Sequence, residues 1–303
     1  MTDFDVVTGA FSYSGRAIAS ALLGSGRRVR TLTGHPGRGP AGSPIEVRPL
    51  DFDDPGSLRS ALEGAGTLFN TYWIRFAHGD VTHDRAVANS RALFEAAAEA
   101  GVGRIVHVSI LHPSTSSPFP YFRGKAQVEH ALASSGVPHS ILRPSILFGA
   151  DGVLINNIAW LLRRMPVFFV GGTGEYRVRP THVDDLAGLC LEHAAKTGNH
   201  TIDAVGPERP TFLDLVVWIR DAIGARSAIY RLPGELLVLS STVLGYVLHD
   251  VLLTREEYTT MSHGMADSNA AATATTRVSD WLVENSSQLG MRYANELDRH
   301  FKR

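Results

Sequence analysis

The feature that most restricts the fold is the regular alternation of short β-branched runs with Ala- and Leu-rich stretches along the first half of the 303 residues. Extended runs are expected at Phe4 to Thr8, Arg28 to Thr33, Ile45 to Arg48, Thr67 to Thr71, Arg104 to Ser109 and His139 to Arg143. Between them, Arg16 to Leu23, Ser57 to Leu62, Arg85 to Ala100 and Gln127 to Ser135 carry apolar residues at helical spacing. Such alternation builds an α/β, doubly wound parallel sheet covered on both faces. A chain with 44% apolar and 19% charged residues can bury one such core and a smaller lobe besides. The alternation weakens near Gly149, and helices are expected at Val153 to Arg164, Asp184 to Ala194, Phe212 to Ile223 and Glu235 to Leu252. An Ala/Thr-rich loop, Asp267 to Thr276, precedes a helical tail around Trp281 and Leu297. The reading is a first domain over residues 1–150 and a second, 151–303, that is mainly a smaller C-terminal substrate lobe. Some segments of the second are expected to return to the first sheet.

Charge narrows the partners. With 29 Lys and Arg against 30 Asp and Glu, the net charge of −1 offers no basic field for nucleic acid or an anionic membrane. A small-molecule substrate is the expected partner, and an oligomer is compatible with the composition. Asp3 and Asp5 stand where a signal peptide needs basic residues, so a cytoplasmic location is expected. The apolar stretch Leu236 to Leu248 falls short of the roughly 20 residues that span a bilayer. It reads as a core or interface helix, with no stable membrane insertion; the alternative is that its apolar face touches a lipid or a greasy substrate. Cys190 has no second cysteine to pair with and sits among apolar residues. The 13 histidines show no zinc spacing, and His78 with His83 lies in a loop without a matching set of carboxylates, so no metal is expected.

The turn after the first extended run reads Thr8-Gly9-Ala10-Phe11-Ser12-Tyr13-Ser14-Gly15 and opens a helix. A pyrophosphate needs small residues where the backbone approaches it and unpaired N–H groups at a helix N-terminus. Gly9 and Gly15 supply the outer positions, and Ser12 stands where a middle glycine is usual. Serine permits close approach and has a hydroxyl to offer the phosphate. This is a Rossmann-type signature for a dinucleotide, with Phe11, Ser12, Tyr13 and Arg16 lining it. An NAD site places a carboxylate near the end of the second strand. Here the sequence is Thr31-Leu32-Thr33-Gly34-His35, without one. Arg16, His35 and Arg38 are instead available to a 2′-phosphate, which favours NADP while leaving NAD open.

Together with Gly9 and Gly15, several ordered segments resemble the extended or atypical short-chain dehydrogenase/reductases of the NAD(P)-dependent epimerase/dehydratase superfamily. They are Leu50-Asp51-Phe52-Asp53, Asn89, Val106-His107-Val108-Ser109, Tyr121-Phe122-Arg123-Gly124-Lys125, Leu142 to Gly149, and Thr181-His182-Val183-Asp184-Asp185. The tyrosine segment is similar to the branch containing the nucleotide-binding accessory subunit of respiratory complex I. The resemblance implies that Tyr121 is the general acid/base and that Lys125 holds the nicotinamide ribose. A nearby ammonium also lowers a phenol's pKa from its usual value near 10. Asp51 and Phe52 match the adenine end of such a site, Thr71 and Tyr72 its middle, and Pro144, Ser145 and Ile146 the carboxamide end. The resemblance places the carbonyl-polarising hydroxyl about two residues beyond Ser109, where this chain has Leu111. Ser109, Ser114, Ser116, Ser117 and His112 therefore remain candidates.

The function expected is an NAD(P)-dependent oxidoreductase, an NADPH reductase of a small carbonyl or activated double bond. The alternatives are an NAD(P)-dependent sugar-nucleotide epimerase and a non-catalytic dinucleotide-sensing or assembly protein.

Overall fold

The computed structural model describes residues 4–77 and 79–297, so Asp3, His78 and the side chain of Arg38 lie outside the described part. The chain divides into two compact units, one comprising the residues up to Pro144 with Val183–Ala204, the other Ser145–His182 with the residues from Val205 onward. In chain order the first unit begins β1 (Phe4–Thr8), α1 (Tyr13–Gly24), β2 (Val29–Thr33), β3 (Glu46–Pro49), α2 (Pro55–Leu62) and β4 (Ala65–Asn70). It continues with α3 (His83–Glu99), β5 (Arg104–Val108), α4 (Pro120–Ser134) and β6 (His139–Pro144). The second unit then contributes β7 (Leu147–Phe148), α5 (Val153–Arg164), β8 (Val167–Gly171) and β9 (Thr181–His182). The chain returns to the first unit for α6 (Val183–Ala194) and β10 (His200–Ala204). It finishes in the second with α7 (Phe212–Ala222), β11 (Ala228–Leu232), α8 (Gly234–Leu248), α9 (Arg255–Ser262) and α10 (Val278–Glu284).

The first unit is a Rossmann-type parallel sheet of seven strands in the order β10-β6-β5-β4-β1-β2-β3. Its central strands are buried on both faces, which is why they read as apolar runs. Val6, Leu32, Leu68, Ile105 and Ile141 join Leu58, Leu62, Leu93, Phe94, Val128 and Leu132 from the helices in one core. Local chemistry sets the helix starts. Asp54 accepts from Ser57 N ahead of α2 and Thr82 from Arg85 N ahead of α3, while Pro55 and Pro120 open α2 and α4.

Six strands coincide with the expected runs; the seventh, β10, lies in a segment that returns to the first sheet, at a position the sequence does not mark. It is an edge strand, paired only with β6, and half exposed, so it needs no apolar run. Helix α4 begins at Pro120 and not at Gln127, so Tyr121 and Lys125 lie inside it. The last long helix stops at Leu248 and not at Leu252, because His249 turns left-handed with φ +51°.

The second unit has its own core of Phe148, Ile158, Leu162, Leu215, Ile219, Trp281 and Leu282, beside the parallel pairs β11-β8 and β7-β9. No helix among the described residues is long and apolar enough to cross a membrane.

A buried guanidinium ties the returning segment to the first sheet. Arg104 donates to the carbonyls of His193 (2.7 Å), His139 (3.1 Å) and Gly198 (2.9 Å) and to Ser140 Oγ (2.7 Å). Arg104→Met keeps the length and strands three buried acceptors and the part-buried Gly198 carbonyl, each buried one worth roughly 1 kcal/mol or more. The variant is expected to lose about 2–4 kcal/mol in urea denaturation. An unchanged midpoint would refute this role.

Candidate active site

The strand order reverses between β1 and β4. Loops leaving neighbouring strands diverge there, opening a crevice beyond the strands' carboxyl ends. Two threonines join its floor: Thr71 N donates to Thr8 Oγ1 at 2.8 Å, and Thr71 Oγ1 donates to the Thr8 carbonyl at 2.7 Å. Asn70 Oδ1 accepts from Thr8 Oγ1 at 3.1 Å and from Tyr72 N at 3.0 Å. The Asn70 amide nitrogen meets His107 Nδ1 at 3.1 Å, and burial holds that imidazole well below its usual pKa.

The glycine turn stands at the end of β1. Gly9 has φ +66°, and a Cβ on Gly15 would lie 2.1 Å from the Gly9 carbonyl oxygen, so glycine is required at the second position by contact. The Ser12 side chain does not cap the first turn of α1. Ser12 corrects one expectation: its N–H and its hydroxyl both donate to the Gly9 carbonyl, at 2.8 and 2.7 Å, so the hydroxyl proton closes the turn and is not held out for a phosphate. Phe11 lies under the loop after β2, where a Cβ on Gly39 would come within 2.9 Å of its ring. Tyr13 and the exposed Arg16 belong to the opening turn of α1. Thr33 Oγ1 accepts from His35 N at 3.0 Å, forming a turn that leads into the short 3₁₀ segment Pro36–Arg38. Asp51 is exposed and accepts from Asp53 N at 3.0 Å. Phe52 packs on Tyr72 with ring centroids 4.9 Å apart, and Asn89 Nδ2 donates to the Tyr72 hydroxyl at 2.8 Å.

Helix α4 carries Tyr121 and Lys125 one turn apart. Lys125 is buried, donates from Nζ to the Val108 carbonyl at 2.9 Å, and stands 4.9 Å from the centroid of the Trp73 ring. Burial pushes its ammonium down to about 7, against an opposing pull from the Glu129 carboxylate. Gly124 makes room for Trp73, since a Cβ there would lie 2.8 Å from the indole. Tyr121 is one corner of an aromatic triangle, with centroid separations of 5.9 Å to Trp73 and 5.9 Å to His83, and 5.8 Å between Trp73 and His83. Trp73 and His83 escaped the sequence reading as site residues. Trp73 Nε1 and His83 Nε2 are buried without a hydrogen-bond partner among the described residues, and burial lowers the His83 pKa.

Ser109 is placed differently from expectation. Its hydroxyl donates to Glu129 Oε1 at 2.5 Å, and Arg143 forks onto the same carboxylate at 3.0 and 2.5 Å. Its proton is thus engaged by a buried anion that sequence spacing did not flag, although Glu129 lies one helical turn beyond Lys125. Leu111 is buried, Ser114 and Ser116 pair at 2.9 Å in an exposed turn, and Ser117 Oγ accepts from Phe119 N at 3.2 Å ahead of α4. His112 takes a left-handed φ of +53°. Pro144 ends β6, and its carbonyl accepts from Leu111 N at 3.1 Å. Ser145 and Ile146 begin the second unit, where Ser145 Oγ donates to the Ala266 carbonyl at 2.5 Å and the Ile146 carbonyl accepts from Thr181 N at 2.9 Å.

The turn thus fits a dinucleotide: two glycines fixed by φ and by contact, and a helix start that the Ser12 side chain does not cap, at the reversal of strand order. Residues 9–156 match the NAD(P)H-binding family model. Over these 148 of its 303 residues the chain is similar to NAD(P)H-binding domains. It is 26% identical over 246 residues to the mitochondrial NADH dehydrogenase (ubiquinone) 1 alpha subcomplex subunit 9 of Arabidopsis thaliana, covering 75% of this chain and 60% of that protein. It is 25% identical to a 4-hydroxy-2-methyl-3-oxo-4-farnesyl-3,4-dihydroquinoline-1-oxide ketoreductase of Stigmatella aurantiaca, covering 75% of each. It spans about half the length of several other curated relatives. The fold is shared with an Escherichia coli NADPH-dependent quinone oxidoreductase crystallised with NADPH, at TM-score 0.75, 21% identity, and coverage of 94% and 99%.

Gly15→Ala drives a methyl into the Gly9 carbonyl. The expected result is loss of NADPH binding in calorimetric titration with about 1–3 kcal/mol of destabilisation; parental affinity would place the phosphate turn elsewhere. Lys125 supplies a pH test. Its folded pKa of about 7 lies below the ordinary 10.5, so between these values the unfolded chain holds the proton and the folded chain has released it. Stability contributed at this site therefore rises with pH across that window. The parent should gain on Lys125→Met in urea denaturation from pH 7 towards 10, and parallel pH curves would contradict the burial of a titrating ammonium.

Proposed function

We propose that this protein is an NADP-preferring reductase of a carbonyl or activated double bond, with Tyr121 as the proton donor. The observation that carries this is the placement of Tyr121 and the buried Lys125 on one face of α4, with Lys125 held at the carboxyl end of β5. Gly9, Gly15 and the first turn of α1 would hold the pyrophosphate, and Thr71, Tyr72 and Lys125 the middle and nicotinamide end. Bound NADPH supplies the electron pair. Tyr121 gives its phenolic proton to the substrate oxygen as negative charge develops there. Lys125, with its ammonium poised near neutrality, favours the phenolate left behind. Val108 and Trp73 keep that ammonium in place, and Glu129 restrains its deprotonation from one turn further along the helix.

The walls suit a flat, conjugated substrate. Trp73, His83 and Tyr121 offer three rings within 5.9 Å of one another. The orphaned Trp73 N–H and His83 Nε2 each represent roughly 1–3 kcal/mol of unmet hydrogen bonding that a ligand can supply. Two similar proteins, the quinoline-oxide ketoreductase and the NADPH-dependent quinone oxidoreductase, are named for ring carbonyls. In this reading Ser109 is a support for Glu129, the second unit selects the substrate, and the protein is cytoplasmic. The NADP preference rests on the turn Thr33 to His35, which has no carboxylate, and on the exposed Arg16.

Two measurements test the proposal. NADPH should bind more tightly than NADH, with Arg16→Ala weakening NADPH more; equal affinities would remove the NADP assignment. With a substrate found in a panel of quinones and aryl ketones, Tyr121→Phe should bind cofactor normally and lose about 10²- to 10⁴-fold in turnover. Near-parental kcat in that variant would eliminate Tyr121 as the acid.

A further inference from the structure

Helix α8 is apolar around most of its circumference, and Gly245 is its one buried residue. A helix of that composition is ordinarily enclosed. Here Leu236, Leu239, Val243, Tyr246 and Val247 are 50%, 61%, 59%, 80% and 70% exposed. The first four follow one another at intervals of three, four and three residues, the narrow seam that one helix offers to another. The apolar surface extends onto the β11-β8 pair, where Tyr230 and Phe169 are exposed register partners. Phe169 shares a sheet face with Gly171, at which a Cβ would come within 2.8 Å of Leu237 on α8. These seven side chains leave on the order of 800 Å² open, more than the few hundred Å² usual on a monomer and about one partner's share of a standard interface.

The chemistry of the face selects its occupant. A helix that lies on a bilayer carries Lys or Arg along its polar side. α8 carries neither, and its one charge, Glu235, is ion-paired with Arg255. Ser240 and Thr242 turn their hydroxyls back onto the carbonyls of Leu237 and Val238, at 2.9 and 2.8 Å, so the face can be dried without stranding those donors. The end of the helix is also fixed in advance. Asp250 accepts from the Tyr293 hydroxyl at 2.6 Å and from the amides of Glu296 and Leu297 at 3.1 and 3.2 Å. A pre-formed helix loses little conformational entropy when it is covered.

We infer that α8 is a self-association surface, on which two copies of this chain pair antiparallel about a two-fold axis near Ser241. Such pairing is isologous, the commonest symmetry of soluble oligomers. It sets Leu236 and Leu239 at one end of the seam against Val243 and Tyr246 at the other. It also carries the exposed Glu235, with Arg255 ion-paired to it, towards the end of the partner subunit's helix.

Light scattering on the full chain across a concentration series tests this independently of the reaction. The expected mass is twice 32.8 kDa. A Leu239→Asp/Val243→Asp double variant should run as a monomer with parental NADPH affinity, which shows that the first unit remains folded. Cys190 is buried, so Thr242→Cys introduces the accessible thiol, and oxidation with diamide should trap a disulfide-linked dimer. A monomer at every concentration, or a dimer that survives in the double variant, would overturn the inference. So would flotation of the monomeric chain with phosphatidylcholine vesicles, which would assign the face to lipid.

Discussion

Everything proposed for the crevice depends on the exchange of two hydrogen bonds between Thr8 and Thr71. Adjacent parallel strands part company beyond their last ladder bond, and at a reversal of strand order nothing in the sheet itself holds their ends together. Here a backbone amide and a hydroxyl from one strand's exit satisfy a hydroxyl and a carbonyl at the other's. Asn70 and His107 extend the network inward to β5. The glycine turn on one side and the Thr71–Trp73 segment on the other therefore share a common base, and the separation between phosphate turn and aromatic wall is set by polar bonds in a dry interior. Low dielectric strengthens such bonds and makes leaving one unmade costly.

A second economy lies in the placement of charge under α4. One carboxylate, Glu129, accepts the Ser109 hydroxyl and both arms of Arg143, and it also restrains the loss of the Lys125 proton. The ends of β5 and β6 and the middle of α4 are thereby joined by a single anion. Its burial is tolerable because its lone pairs are taken by strong donors. The ammonium one turn away is satisfied by a carbonyl and an aromatic face, both neutral, so it remains close to titration.

The parts of this arrangement that were legible in the sequence are those governed by local rules. Central strands announce themselves because burial on both faces demands apolar runs, and Gly9 and Gly15 because the turn excludes a side chain. The half-exposed edge strand β10 has no such demand, so a segment returning to the sheet is expected from the sequence but its strand is not located there. Pro120 was an available marker for the start of α4, but Gly124 interrupts the helical pattern for a tertiary reason, the approach of Trp73. Trp73, His83 and Glu129 are ordinary in sequence and acquire meaning only through neighbours that are distant along the chain. Ser109 shows the converse: its position at the strand end suggested a hydroxyl for the substrate, and long-range pairing gives that hydroxyl to Glu129.

The interrupted first unit also constrains the order of assembly. β6 ends at Pro144, and its outer neighbour β10 begins at His200, with a segment of the second unit between them. At typical synthesis rates of about 5–20 residues per second, that edge waits roughly 3–11 s for its partner. Throughout this interval β6 presents an open row of backbone groups, and Arg104 lacks the His193 and Gly198 carbonyls that it will finally hold. An unpaired edge is a template for foreign strands. The nascent chain is therefore most exposed to mispairing in the interval between completing β6 and emitting β10, and a chaperone that binds extended segments would find its natural substrate there.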